Sequence, residues 1–431
     1  MRTEIIRDIE DVGSFTSKLF EWSKKFEDVV FLDSNQIIDK NSEYDAVLAV
    51  DAFTALKTNV GQTIEQLEEY QSITKDWIFG YLTYDLKNEI EDLNSNNSDY
   101  LNFTNLYFFQ PKKIFFIKEG KVKCCYLKMV DDEFEKDYSE ILKIRTSTQK
   151  SNSTIEIKKR IDRETYIHKV NTALEHIHRG DIYEMNFCQE FYIENHDFEP
   201  ETCFVKLNKI AKAPFTSFLK HEKCYAIGSS PERYLKKNGN KIISQPIKGT
   251  AKRDENIETD EKLKSDLKTN QKELSENVMI VDLVRNDLSK IAKKGSVNVD
   301  ELCHVYTYNQ VHQMISTISA QLKKDVSLSD ILKATFPMGS MTGAPKISAM
   351  QIIEELESTK RGLYSGCIGY ISPNGDFDFN VVIRSILHNS KNKYTSLMVG
   401  SAITQAAQPD QEYDECLVKA KALFEVLNAR S

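Results

Sequence analysis

Apolar residues in the first third of the chain come in short runs separated by polar stretches. Residues 29–32, 46–50, 107–109 and 114–117 are such runs and read as strands. Residues 91–105 carry five asparagines and read as a surface loop. A polar stretch over 144–159, containing Thr146, Ser147, Thr148, Ser151, Asn152, Ser153 and Thr154, is the best linker candidate. After it the period changes to that of a helix over 162–179. Tyr166, Val170, Leu174 and Ile177 fall on one face, and Gly180 stops it. His176 and His178 are too close in sequence to share a helix face, so with His168 they read as solvated histidines, not metal ligands.

Two Asn-Gly pairs, Asn238-Gly239 and Asn374-Gly375, each lie between strand-like runs and suit tight hairpin turns. The hairpins pair 233–237 with 241–245 and 367–372 with 376–387, and a further strand is expected over 394–404. Helices are expected over 271–290, 309–322, 344–357 and 409–428. Antiparallel strands with interleaved helices predict an α+β fold: a large, mostly antiparallel β-sandwich core flanked by helices. An N-terminal region over 1–145 and a second domain over 160–431 are expected on either side of the linker.

Composition narrows the class. The 431 residues carry a net charge of −8, which argues against a nucleic-acid partner. No run approaches the roughly 18 apolar residues of a membrane span, and the charged start lacks a signal-peptide core. The eight cysteines show no CxxC or zinc spacing and read as mostly buried thiols, so a cytoplasmic protein is expected. Of the 16 glycines, 11 fall between Gly228 and Gly400, which points to that part as the site-bearing one.

Several constellations there carry chemistry. Glu273 and Glu276 open one predicted helix and Glu412 and Glu415 another, each pair three apart and on one face. Acids at helix starts are what the macrodipole favours, yet two such pairs also suit Mg²⁺, which takes hard oxygen ligands. Lys248, in Pro246-Ile-Lys-Gly-Thr250, sits where a strand becomes a loop. A desolvated or positively surrounded lysine there can lose its proton and act as a nucleophile. The run Met338–Lys346, rich in glycine and hydroxyls, leads into a helix and exposes backbone N–H groups, without P-loop spacing. The last strands carry Tyr370, Arg384 and the turn Gly400-Ser401-Ala402, a set suited to a carboxylate. His312 has apolar neighbours and reads alone as a core-edge histidine.

Taken in order, these segments resemble the chorismate-utilising enzymes, which include anthranilate, aminodeoxychorismate, isochorismate and salicylate synthases. The matching residues are Gly180-Asp-Ile-Tyr-Glu-Met-Asn186, Ser229-Ser-Pro-Glu-Arg233, Pro246–Thr250, Glu273-Leu-Ser-Glu276, Asp282-Leu-Val-Arg-Asn-Asp287, Gly343-Ala-Pro-Lys346, Gly369-Tyr370, Val382-Ile-Arg-Ser385 and Asp414-Glu415. They cover 163–428 densely, and Trp77–Leu86 is the clearest match before that.

The resemblance implies that chorismate is the substrate. It implies that Mg²⁺ is held by Glu276 and Glu415, with Glu273 and Glu412 directly or through water. Arg384, Tyr370 and the backbone of Gly400, Ser401 and Ala402 are expected to take the enolpyruvyl carboxylate. Enzymes of this family that add water have a lysine where Glu184 stands, which argues against isochorismate formation. Anthranilate synthases usually have alanine where Lys248 stands, so Lys248 and Ser340 resemble the aminodeoxychorismate branch. The resemblance then implies that Lys248 attacks the ring, with His312 and Ser340 assisting hydroxyl departure and Glu232 acting as base toward ammonia. Ammonia is expected from a separate glutamine amidotransferase subunit. Glu184 departs from the glutamine usual in amino-transferring relatives. Relatives bind tryptophan in the N-terminal region, and Leu32-Asp-Ser34 with Ala213-Pro-Phe215 resembles that pocket. The alternatives are an anthranilate synthase component I and a non-catalytic ligand-binding or scaffolding subunit.

Overall fold

The computed structural model describes residues 2–37, 39–59, 61–145, 155–308 and 311–427. Its strands build two antiparallel layers that share one long strand, Leu106–Lys118. The first layer runs outward from that strand through Ala46–Thr58, Val29–Asp33, Phe215–His221, Cys224–Ser230, Ser385–Asn389, Tyr394–Thr404 and Glu184–Glu194. The second runs through Ile78–Leu82, Cys367–Ile371, Phe377–Val381, Arg233–Asn238, Lys241–Gln245, Val311–Gln321 and Asn298–Thr307. The expected α+β sandwich is therefore present. In each layer the strands of the first 118 residues lie together at one side and later strands continue the sheet.

Period-two alternation decides what each face covers. Val30 and Val47 point between the layers, where they join Phe79, Phe108, Leu219, Leu235 and Phe379 in one core. Their neighbours Phe31 and Leu48 point the other way, into a second core. Helices Val12–Ser23, Arg163–Arg179, Pro200–Ala211, Lys346–Leu356 and Pro409–Val426 cover that outer face. Helix 163–179 starts at an Asp162 cap that accepts from the Thr165 amide, and it ends at Gly180 in the left-handed conformation, as its sequence signals.

Several local expectations are corrected. In place of the helix expected over 309–322, Val311–Gln321 is a strand, and residues 309 and 310 lie outside the described residues. The spacing of Val311, Met314, Ile315 and Ile318 imitates a helical stripe, but residues 312–320 are buried on both faces, so the strand shows no alternation. The first hairpin turns on Gly239 and Asn240, since Asn238 is still paired with Lys241. The strand expected over 376–387 breaks after Val381 and resumes at Ser385. Arg384, in the break, has a φ of 50°. Runs 107–109 and 114–117 belong to one strand. The central part of the 144–159 linker, residues 146–154, lies outside the described residues. Among the described residues, no helix is long and apolar enough to cross a membrane.

Candidate active site

Lys248 stands on Ile247–Lys252, whose pairing with strand 311–321 breaks register between Ile247 and Thr250. Gly249 occupies that break with a φ of 91°, a conformation that glycine adopts freely. The side chain is turned inward, and its Nζ donates to Glu184 Oε1 at 2.7 Å. Glu184 is 1% exposed. Its strand is held on both sides, by Thr404 and by Ala344. Burial alone disfavours the Lys248 charge, but the carboxylates of Glu184, Glu276 and Glu232 outweigh it and raise its pKa. Lys248 is thus desolvated, as the sequence allows, but its surroundings are negative, not positive, and they hold its proton.

Glu232 lies in the turn between strands 224–230 and 233–238, and it is 4% exposed. The Ser340 hydroxyl donates to its Oε1 at 2.6 Å. Burial pushes its pKa up to about 7, against the opposing pull of Ser340 and Lys248. A carboxyl poised there can give or take a proton near neutral pH.

The two glutamate pairs do face one another across helices Gln271–Ile291 and Pro409–Val426. Lys272 Nζ lies 2.9 Å from Glu412 Oε1 and 3.9 Å from Glu276 Oε1. Ser401 donates to Glu412 Oε2 at 2.8 Å. Lys419 pairs with Glu415 at 2.6 Å and donates to the Gly400 carbonyl at 2.9 Å. Burial raises the Glu276 pKa to about 7, and burial with Glu415 raises that of Glu273. Burial also disfavours the Glu415 charge, but Lys419 prevails and lowers its pKa. Among the described residues, no three acidic, histidine or cysteine side chains converge closely enough to enclose an ion. The charge nevertheless suits one. Glu184, Glu273, Glu276, Glu412 and Glu415 outnumber Lys248, Lys272 and Lys419 by two, and Glu276 Oε1 is buried without a hydrogen bond.

Arg384 is half-buried, and its guanidinium makes no hydrogen bond or ion pair with any other described residue. Burial lowers its pKa, and only Tyr364 and Glu415 offset this from nearby. An enclosed, unpaired guanidinium is suited to receive a carboxylate. Gly400, Ser401 and Ala402 pair with Cys188, Phe187 and Asn186, whereas strand 385–389 reaches only as far as Ser396 on the other edge. Among the described residues that edge therefore has no ladder partner at 400–402.

Two predicted site residues are placed elsewhere. Tyr370 does not neighbour Arg384. It lines a cavity with Leu32, Asp33, Ser34, Tyr44 and Phe215, and it packs against Trp77 at 5.5 Å between ring centroids. The tyrosine beside Arg384 is Tyr364, which the sequence reading missed. His312 has both ring nitrogens engaged, Nε2 with Asp260 and Nδ1 with Thr307, each at 3.0 Å. It anchors Ile257–Thr269 to its strand and stands outside the hydrogen-bonded group around Lys248. Lys272 and Lys419 are also unforeseen members of the site. The cavity beside Tyr370 is lined by Leu32, Asp33 and Ser34 and by Pro214 and Phe215 from the second of the two segments singled out in the sequence. Burial there raises Asp33 to about 6, and Ser34 Oγ has no hydrogen-bond partner.

Comparison with known proteins gives a family model, described as chorismate binding enzyme, that matches residues 18–425. A probable aminodeoxychorismate synthase, chloroplastic, from Oryza sativa subsp. japonica is 41% identical over 288 residues, 66% of this chain and 31% of that one. Aminodeoxychorismate synthase component 1 from Escherichia coli (strain K12) is 38% identical over 282 residues, 65% of this chain and 60% of that one. The chain thus spans about a third of the length of the plant relative. The crystal structure of anthranilate synthase component I from Streptococcus pneumoniae TIGR4 superposes with a TM-score of 0.78 at 25% identity, covering 89% of this chain and 93% of that one.

Proposed function

The chain belongs to the chorismate-binding enzymes, and from that membership we propose that it is an aminodeoxychorismate synthase component I. It converts chorismate and ammonia to 4-amino-4-deoxychorismate, on the route to p-aminobenzoate and folate. A separate glutamine amidotransferase subunit supplies the ammonia, and the free thiols of the cysteines suit a reducing cytoplasm. The observation that carries this reading is Lys248, buried in the field of Glu184 and Glu232, with Ser340 bonded to Glu232. The relatives named aminodeoxychorismate synthase support it.

Glu276 and Glu415, with Glu273 and Glu412 directly or through water, would hold Mg²⁺, whose charge orients the ring carboxylate and stabilises negative charge. Arg384 forks the enolpyruvyl carboxylate, with Tyr364 and the open edge at 400–402 beside it. The Lys248 amine forms a bond to ring C2, the two ring double bonds shift, and the C4–O bond breaks. Glu232, protonated at the start of the step, gives its proton to the departing hydroxyl, which leaves as water. Ammonia then bonds at C4, the double bonds return, and the C2–N bond to Lys248 breaks. Glu232 recovers its proton from the new ammonium. The ether at C3 is untouched, so pyruvyl is retained. His312 is assigned to anchoring, because its nitrogens are already occupied.

The test is incubation with chorismate, Mg²⁺ and ammonium. Aminodeoxychorismate should form without pyruvate. Stoichiometric pyruvate would instead indicate an anthranilate synthase and overturn the assignment.

A further inference from the structure

The covalent route requires Lys248 as a free amine, yet its surroundings hold it as an ammonium. Some group must take that proton before the C2–N bond can form. Five carboxylates bear on Lys248: Glu184 from strand 184–194, Glu232 from the turn before Arg233, Glu273 and Glu276 from helix 271–291, and Glu415 from helix 409–426. Glu232 accepts the Ser340 hydroxyl, and neither Glu232 nor Glu276 forms an ion pair with Lys248. Glu184 alone among the described residues lies within hydrogen-bond reach, at 2.7 Å.

Glu184 is also built to act as a base. Its carboxylate is 1% exposed, and its second oxygen, Oε2, is buried without a hydrogen bond. Such a carboxylate is poorly solvated, so its charge is held in place chiefly by Lys248. When a substrate closes the pocket and removes water, the neutral amine–acid pair gains on the ion pair. Both backbones are fixed: Glu184 between two neighbouring strands and Lys248 at the Gly249 register break.

We propose that Glu184 is the base that takes the proton of Lys248, freeing the amine to attack the ring, and returns it when the lysine leaves. In the first half, the ammonium N–H bond breaks, the proton passes to Glu184 Oε1, and the nitrogen lone pair forms the bond to C2. In the second half the C2–N bond breaks with its electrons on nitrogen, and the neutral amine regains its proton from the Glu184 carboxyl. No outside oxidant or reductant is involved.

This rests on the reaction assigned above, and the test separates the two. The full chain is assayed with chorismate, Mg²⁺ and ammonium chloride across pH, comparing wild type with Glu184→Gln and Glu184→Asp. Glu184→Gln should lower kcat on the order of 10²-fold while the chorismate KM stays nearly constant. Its rate should then climb with pH, as solvent replaces the missing base. Glu184→Asp should recover part of the rate. Without ammonia, mass spectrometry should find a substrate adduct on the Lys248 peptide, forming more slowly in Glu184→Gln by the same factor. A wild-type rate and pH profile in Glu184→Gln, with Lys248→Ala inactive, overturns the Glu184 role alone. Pyruvate release by the wild type, or unimpaired turnover by Lys248→Ala, overturns the reaction and the Glu184 role with it. Should Glu184→Gln fail to bind chorismate, Glu184→Asp decides: a slowed, alkaline-shifted rate supports the role, and an unchanged rate refutes it.

Discussion

The core around Arg361 and the pocket around Arg384 treat the same side chain in opposite ways. Arg361 is 1% exposed. It bonds both Glu357 oxygens at 2.6 and 2.9 Å and the carbonyls of Met341 and Asn186 at 2.6 and 2.8 Å, beneath the Tyr84 ring. Every guanidinium requirement there is met from within the protein, so the arginine serves cohesion. Arg384 has no such partners among the described residues, and the acids across the pocket include oxygens without hydrogen bonds. A charge left unmet inside a protein is a standing cost, tolerated where something else is to meet it. The difference separates a charge that holds the fold from one that awaits a ligand.

The sharpest break of this contrast is Lys248→Ala, which should lower aminodeoxychorismate formation on the order of 10³-fold or more and leave the chain folded but less stable, because buried Glu184 loses its partner. Product assay checks the first and denaturant titration the second. The two arginines should then diverge. Arg361→Met should cost about 3–5 kcal/mol of stability, because it strands Glu357 as a buried lone charge. Arg384→Met should leave the urea midpoint nearly unchanged yet raise the chorismate KM roughly 10–100-fold, the worth of a charge-assisted fork.

Stability should also depend on pH in a stated direction. Glu232 has its pKa raised from 4.5 to about 7 in the fold. Between those values the folded chain keeps a proton that the unfolded chain has lost. Its contribution is therefore present below pH 4.5 and is lost as pH rises to about 7, by at most about 3 kcal/mol. Glu276 adds a slope of the same sign. Glu232→Gln should flatten its share in urea titrations at pH 5 and 8. The smallest effect concerns Mg²⁺, which should stabilise the wild type by about 2.7 kcal/mol at a hundred times its Kd. Glu276→Gln should remove most of that shift in thermal melts.

The sequence exposed this contrast unevenly. The four glutamates showed as two helix-start pairs and Lys248 as a strand-end lysine, whereas Glu232 and Ser340 were marked only by the resemblance; in the structure Ser340 bonds Glu232, and Lys272 bridges Glu276 and Glu412. Tyr364 was missed in favour of Tyr370. Both tyrosines flank the Gly366–Gly369 segment, and only the fold shows that Tyr370 faces the N-terminal strands. The strand at 311–321 read as a helix because burial on both faces erases alternation; its Ile315, Thr317 and Ile318 were the overlooked β-branched signal. The pairing of His312 with Asp260 joins residues far apart in the chain, and no local pattern announces such a contact. Glu184 was noted as unusual, but its hold on Lys248 emerged only from coordinates.

The strand pairings also bear on how the molecule comes into being. Ile78–Leu82 pairs with Cys367–Ile371, and Glu184–Glu194 pairs with Tyr394–Thr404. Neither layer can close until residues 367–404 have been made, so the nascent chain emerges with unsatisfied strand edges and must wait for those strands. Such distant closures slow folding and lengthen exposure to aggregation. Truncation before residue 394 removes a partner strand of the one that carries Glu184.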